Sequence, residues 1–193
     1  MVKILAFAGS TRTGSVNGKL LDALVPLVEA EGAEVTRVDL REYEMPLYNG
    51  DIEAERGVPE SARRLKALMI AHDGMLIASP EYNGSITPLL KNTLDWCSRP
   101  NPADPERSGG KVYAGRAAAV VGSSPGALGG MRVLFHVRDV LGYLGMQVIP
   151  QQLAVGKAGE AVGADGRLDD AAQQGMLEGL AAALVDTARR MRG

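Results

Sequence analysis

Three stretches of the chain are apolar almost without interruption: Val2-Lys3-Ile4-Leu5-Ala6-Phe7-Ala8, Gly74-Met75-Leu76-Ile77-Ala78 and Arg116-Ala117-Ala118-Ala119-Val120-Val121. Runs of this kind mark strands buried on both faces, as in a parallel sheet. Glu34-Val35-Thr36-Arg37-Val38-Asp39 alternates instead, which suits a sheet edge, and Gln147-Val148-Ile149 reads as the last strand. Between the strands the apolar period becomes helical. Leu20, Leu21, Leu24, Leu27 and Val28 share one face, and residues 60–71 form a short helix closed by His72 beside its dipole. Thr87 and Pro88 open a helix as cap and first residue, and it continues through Leu94 and Trp96. Further helices span about 131–144 and the closing stretch around Leu177, Leu180, Leu184 and Val185. Pro26 within the first helix predicts a kink or a shifted boundary. Residues 41–59 read as a long surface loop with Met45, Pro46 and Tyr48 packed beneath it, and 156–169 as a surface connection. Five strands alternating with helices predict an α/β doubly wound parallel sheet in the order 2-1-3-4-5, with helices on both faces, in one domain over 1–193.

The chemistry gathers where strands end. After the first strand comes Gly9-Ser10-Thr11-Arg12-Thr13-Gly14-Ser15-Val16-Asn17. A turn that feeds a helix presents unpaired N–H groups at the positive end of the helix dipole, and so attracts an anion. Four hydroxyls, the Asn17 amide and the Arg12 guanidinium add donors. The G-x-G-x-x-G fingerprint and the Lys-Ser/Thr pair of a triphosphate loop are both missing, so a terminal monophosphate fits best. A capped turn that binds nothing would use similar residues. The strand at 74–78 runs into Ser79-Pro80-Glu81-Tyr82-Asn83-Gly84-Ser85, a stiff loop whose backbone N–H groups could face a planar ligand, with Tyr82 available for stacking. The strand at 116–121 ends in Gly122-Ser123-Ser124-Pro125-Gly126-Ala127-Leu128-Gly129-Gly130, where glycines allow close backbone approach.

Composition narrows the field. The formal charge is −2 with no basic tract, which gives a nucleic-acid partner no electrostatic support. No apolar run approaches a membrane span, and no signal peptide is evident, so the expectation is a cytoplasmic protein. The one cysteine, Cys97, forms no internal disulfide, and no Cys/His cluster has metal-ligand spacing. No Ser/His/Asp or Cys/His arrangement stands out, and His136 reads as a surface or interface residue.

Together, Gly9-Ser10-x-Arg12-x-x-Ser15-x-Asn17 and Pro80-Glu81-Tyr82-Asn83-Gly84-Ser85, followed by Pro88-Leu89-Leu90-Lys91-Asn92-x-x-Asp95-Trp96, resemble the NADPH-dependent FMN reductase family. The resemblance implies a flavodoxin-like fold with tightly held FMN, its phosphate on Gly9, Ser10, Arg12, Ser15, Val16 and Asn17. It places the ring edge on Pro80, Glu81, Tyr82, Asn83, Gly84 and Ser85, with Ser123 and Gly126 beside the flavin. It further implies NAD(P)H-dependent, ping-pong reduction of quinone-like, azo or other small acceptors, with no side chain assigned as catalytic. A flavodoxin-type electron carrier and a reductase that releases reduced FMN are the alternatives. NADPH and NADH are not distinguished by the sequence; Arg132 and Arg138 are candidate 2′-phosphate ligands better explained by a solvated helix face. The helix over 88–98 mixes polar and apolar residues on almost every face and holds the only tryptophan, Trp96. With Lys91 and Asp95 at i and i+4, it is expected to build a two-fold homodimer, with pairing into a tetramer left open.

Overall fold

The computed structural model describes every residue except 101, 103–108, 160, 164 and 193. Its strands are β1 (Val2–Ala8), β2 (Ala33–Arg37), β3 (Gly74–Ala78), β4 (Ala117–Ser123) and β5 (Gln147–Val155). The described helices are α1 (Val16–Ala30), α2 (Gly50–Arg56), α3 (Glu60–Ala71), α4 (Pro88–Cys97), α5 (Met131–Tyr143) and α6 (Ala171–Met191). All strand pairs are parallel, in the order β2-β1-β3-β4-β5.

Strand alternation divides the core in two. Ile4, Ala6, Ala119 and Val121 face α1 and α6, while Leu5, Phe7, Ala118 and Val120 face α3, α4 and α5. Every residue of β3 and β4 is buried, which accounts for their unbroken apolar sequence. The alternating β2 is the edge strand on one side.

The structure departs from the sequence reading at several places. Helix α1 runs through Pro26 to Ala30, so the boundary does not shift. Pro26 is exposed, which turns the carbonyl it deprives of a donor toward water. The 41–59 segment is no simple loop: it contains a 3₁₀ turn at Leu40–Tyr43 and α2. Asn49 caps α2 by accepting from the Asp51 N–H at 2.8 Å, and Gly57 closes it with φ 72°. Strand β5 continues past Ile149 to Val155. Ala118 pairs Val148 and Val120 pairs Gln152, so a bulge absorbs Pro150 on an edge strand, where a missing N–H is tolerated. His72, by contrast, ends α3 as the sequence predicts: it is buried, its Nδ1–H donating to the last-turn Leu68 carbonyl at 2.6 Å and its Nε2 accepting from the Thr36 hydroxyl at 2.8 Å.

Trp96 is the largest correction. It is fully buried, donating Nε1–H to the Pro46 carbonyl at 2.7 Å and meeting Tyr48 edge-on at 5.0 Å. Met45 packs on the core and Tyr48 on Trp96, while Pro46 is exposed and contributes its carbonyl, so Trp96 is used inside the fold and not at an interface. Leu90, Thr93, Leu94 and Cys97 complete the buried face of α4, while Lys91 pairs with Asp95 at 2.8 Å on the outside. Burial pushes the Cys97 thiol up to about 12, so it stays protonated. No helix among the described residues is long and apolar enough to cross a membrane.

The glycines of the β4–α5 connection hold the fold more than they open it. A Cβ on Gly129, at φ 62°, would fall 2.6 Å from the Val155 backbone, so this turn lies directly on the end of β5. Gly129→Ala should therefore cost at least about 2 kcal/mol of stability in urea unfolding. By contrast Gly175→Ala, in open space on α6, should add about 0.5–1 kcal/mol.

Candidate functional site

Three connections leave the carboxyl edge of the sheet side by side: loop 1 (residues 9–15) after β1, loop 2 (79–87) after β3 and loop 3 (124–130) after β4. They enclose a groove of about 130 Å³. This is the switch point of the strand order, where neighbouring connections part and open α/β sheets bind ligands.

Loop 1 is anchored at its base. The Gly9 N–H donates to the Ala78 carbonyl at 2.8 Å, and the Gly9 carbonyl accepts the Thr87 hydroxyl at 2.9 Å. A Cβ on Gly9 would approach Leu90 to 3.1 Å, so glycine lets the loop rest on α4. Ser15 caps α1, its Oγ accepting from the Gly18 N–H at 3.3 Å. Among the described residues the N–H groups of Thr11, Thr13, Gly14, Val16 and Asn17 find no partner, and neither does the exposed Arg12 guanidinium. Unpaired donors at a helix start, with a free cation among them, make an anion cradle.

Asn17 does something the sequence did not disclose. Its Nδ2 donates to the Ser123 carbonyl at 2.8 Å, and its Oδ1 accepts from the Ser123 N–H at 2.9 Å. Both residues are buried. The side chain thus ties loop 1 to the end of β4, and only its remaining amide hydrogen is free for a ligand.

Loop 2 carries a two-residue hairpin. Tyr82 and Ser85 exchange backbone bonds of 3.0 Å, with Asn83 at φ 50° and Gly84 at φ 80° between them, a type I′ turn. The Tyr82 and Ser85 N–H groups are therefore consumed. Those of Asn83 and Gly84 remain unpaired among the described residues. Glu81 fastens the loop to α5, whose cap residue, Gly130, has no side chain to offer. Oε2 of Glu81 accepts from the Arg132 and Val133 N–H groups at 3.0 and 3.3 Å, and Oε1 accepts from Arg132 Nη1 at 2.9 Å. Burial pushes this carboxyl up, but the Arg132 guanidinium and the two N–H donors outweigh it and hold it below the ordinary range. Ser85 Oγ meets Nδ1 of the exposed His136 at 2.8 Å. Arg138 donates to the Ile149 carbonyl at 2.6 Å, so both arginines on α5 have structural partners.

Of the residues expected from sequence, Ser10, Arg12, Ser15, Val16, Asn17, Pro80, Glu81, Tyr82 and Ser123 line the groove. Gly9 lies beneath it, and Asn83, Gly84 and Ser85 form the hairpin at its end. Gly126 is outside the wall, its carbonyl accepting from the Gly129 and Lys157 N–H groups. Ser124 and Pro125 line the wall and were not singled out, although they directly follow Ser123.

The profile of the NADPH-dependent FMN reductase family matches residues 2–160. An NAD(P)H-dependent FMN reductase of Pseudomonas aeruginosa is 34% identical over 193 residues, covering 100% of this chain and 98% of its own. A quinone reductase of Escherichia coli is 33% identical over 148 residues, 77% of this chain and 73% of its own. Among solved structures, the flavoenzyme NAD(P)H:(acceptor) oxidoreductase FerB of Paracoccus denitrificans superposes with a TM-score of 0.82 at 30% identity, covering 99% of both chains. An archaeal flavodoxin, at 10% identity and a TM-score of 0.62, shares the fold.

The Glu81 clamp has a pH signature. A carboxyl held below its ordinary value of 4.5 contributes stability that is complete above that value and is lost as pH falls through the lower, folded-state value. Glu81→Gln should therefore lower stability by about 1–2 kcal/mol at pH 7. The gap from wild type should close as the pH falls below 4.5 and through the lower folded-state value, followed by thermal melts across that range.

Proposed function

The chain belongs to the NADPH-dependent FMN reductase family, and we propose that its groove holds FMN through loops 1 and 2 while NAD(P)H and a small acceptor take turns at the open face. It is an FMN-dependent NAD(P)H oxidoreductase; quinone-like, azo and other small electron acceptors are the substrates this reading assigns to it. One observation supports the site: the free Arg12 guanidinium and the unpaired Val16 and Asn17 N–H groups line one groove, whose loop 2 wall at Tyr82 leads directly into the hairpin with the unpaired Asn83 and Gly84 N–H groups.

The donor set suits the two ends of FMN. Five backbone N–H groups, hydroxyls and one guanidinium match a phosphate dianion. The Asn83 and Gly84 N–H groups match the carbonyl and nitrogen acceptors along the ring edge, with Tyr82 beside them. When bound, FMN supplies the hydride and electron transfer. What the chain does is hold geometry. Arg12 and loop 1 bind the phosphate, the Asn17–Ser123 pair fixes loop 1 against loop 3, and Glu81 fixes loop 2 against α5. No groove side chain is assigned as acid or base. Because both substrates use one face, the kinetics should be ping-pong. A cytoplasmic location is part of the same reading.

Assembly as a two-fold dimer also belongs to this reading, but with a different seam. Helix α4 divides cleanly into a buried and a polar face, so its sequence pattern no longer argues for an interface. Exposed apolar side chains stand instead on loop 2, loop 3 and the start of α5, where Tyr82, Leu128, Met131 and Phe135 are each 47–54% exposed. A patch of this kind beside the groove supports a dimer centred there.

Purified protein should be yellow and oxidise NAD(P)H with a quinone in parallel-line kinetics; a colourless preparation that takes up no FMN would overturn the reading. Arg12→Ala removes a charge-assisted contact of roughly 1.5–3 kcal/mol. It should weaken FMN about ten- to hundredfold and leave riboflavin unaffected in fluorescence titrations. Light scattering should give twice the chain mass for the wild type and the single mass for Phe135→Glu.

A further inference from the structure

Across loop 1 from the groove is a second pocket, of about 190 Å³, at the carboxyl ends of β1 and β2. Its walls are loop 1, the first turns of α1 and the segment that follows β2. Four cations line it, Arg12, Lys19, Arg37 and Arg41, against two carboxylates, Asp22 and Asp39. The surplus is two positive charges, or one when Arg12 is given to the groove, in a chain whose formal charge is −2. The carboxylates fix two of the cations in place. Arg37 Nε donates to Asp22 at 3.1 Å, and its Nη1 donates to the Val38 carbonyl at 2.8 Å. Arg41 donates from Nε to Asp39 at 2.9 Å, and its backbone N–H adds a second bond of 2.9 Å. Arg12 and Lys19 have no side-chain partner among the described residues. The pocket therefore has two oriented guanidiniums in its wall and two free cations at its mouth.

We propose that this pocket receives the 2′-phosphate of NADPH and makes NADPH, not NADH, the preferred reductant. The proposal rests on the reading of the chain as an FMN-dependent NAD(P)H oxidoreductase. The two pockets share Ser10, Arg12 and Ser15 as a common wall. With the flavin phosphate on the groove side, Lys19, Arg37 and Arg41 remain for a different anion. The pocket is at the β2 end of the same carboxyl edge as the groove, on the far side of loop 1 from loop 2, where the adenosine half of a dinucleotide whose nicotinamide met the flavin would have a shared edge to follow. The 2′-phosphate is the one group NADPH has and NADH lacks, and as a near-dianion it needs the guanidinium and ammonium donors found there. In other doubly wound sheets a basic residue likewise accommodates this phosphate. The adenylate phosphate of FAD, extending past the flavin phosphate, is a second source of the same chemistry, and the test separates the two.

The experiment uses holoenzyme carrying Lys19→Gln, Arg41→Gln or both. Lys19→Gln is the cleaner variant, because it breaks no contact within the fold. KM for NADPH should rise about tenfold in each single variant and further in the double, with NADH kinetics and the bound-flavin spectrum unchanged. Calorimetry with 2′,5′-ADP should show the same loss, with 5′-ADP indifferent. Equal effects on NADPH and NADH, or no effect on either, would overturn the proposal. So would a wild type that prefers FAD to FMN and loses only that preference in the variants. A protein that oxidises neither nucleotide, yet binds 2′,5′-ADP through Lys19 and Arg41, would keep the pocket and refute the assigned function.

Discussion

The side-chain amide of Asn17 donates to the Ser123 carbonyl and accepts from the Ser123 N–H, so the start of α1 is tied to the end of β4 in a place closed to water. The strand that leads into α1, β1, is not a neighbour of β4 in the sheet, because β3 runs between them. The bonded pair lies in the groove wall itself, together with Pro80, Glu81 and Tyr82 of loop 2. Removing the amide would strand a buried donor and a buried acceptor on Ser123, each of which is costly without a partner. The spacing of the three loops follows from this one pairing more than from any contact with a ligand.

Other constraints at the edge work the same way. Glu81 replaces the cap that Gly130 cannot provide, so the start of α5 and the base of the hairpin move as one body. Gly129 brings loop 3 onto the backbone of β5 at a distance that only glycine permits. Thr87 caps α4 through its Oγ, which accepts from the Leu90 N–H, and donates the same hydroxyl to the Gly9 carbonyl, joining loops 1 and 2 at their roots. Each loop is held by bonds within the protein, several of them made by Asn17, Glu81 and Ser123 in the groove wall itself. The groups that face into it, the loop 1 N–H donors and Arg12, are left without internal partners. Pre-organisation of this kind spares a ligand much of the ordering cost on binding.

Much of this architecture was legible in the sequence for a simple reason. Strands buried on both faces cannot carry polar residues, so β1, β3 and β4 stood out as apolar runs, and a parallel sheet followed. The strand ends then located the loops. What sequence could not supply was the use made of each donor. Asn17 and Glu81 were chosen as ligand contacts because they are polar and well placed, yet most of their bonding capacity is taken by Ser123 and α5. The glycines of loop 3 suggested room for a ring, whereas Gly129 is filled by the β5 backbone. Helix α2 escaped notice because it buries no side chain and so leaves no apolar stripe. Trp96 misled through composition: a lone tryptophan amid polar residues looked like an interface, when its partners, Pro46 and Tyr48, lie some fifty residues earlier in the chain.

The bulge at Pro150 bears on how copies of this chain can meet. An open sheet has two exposed edges, and an unpaired row of N–H and C=O groups invites another strand to add. On one side β2 is only five residues long. On the other, Pro150 deletes a donor in mid-strand and the bulge breaks the repeat that a flat partner strand would need. Both borders of the sheet are thus poor templates for strand addition. Edge-to-edge polymerisation is discouraged in the backbone itself, and contacts between folded copies are left to the helices and loops.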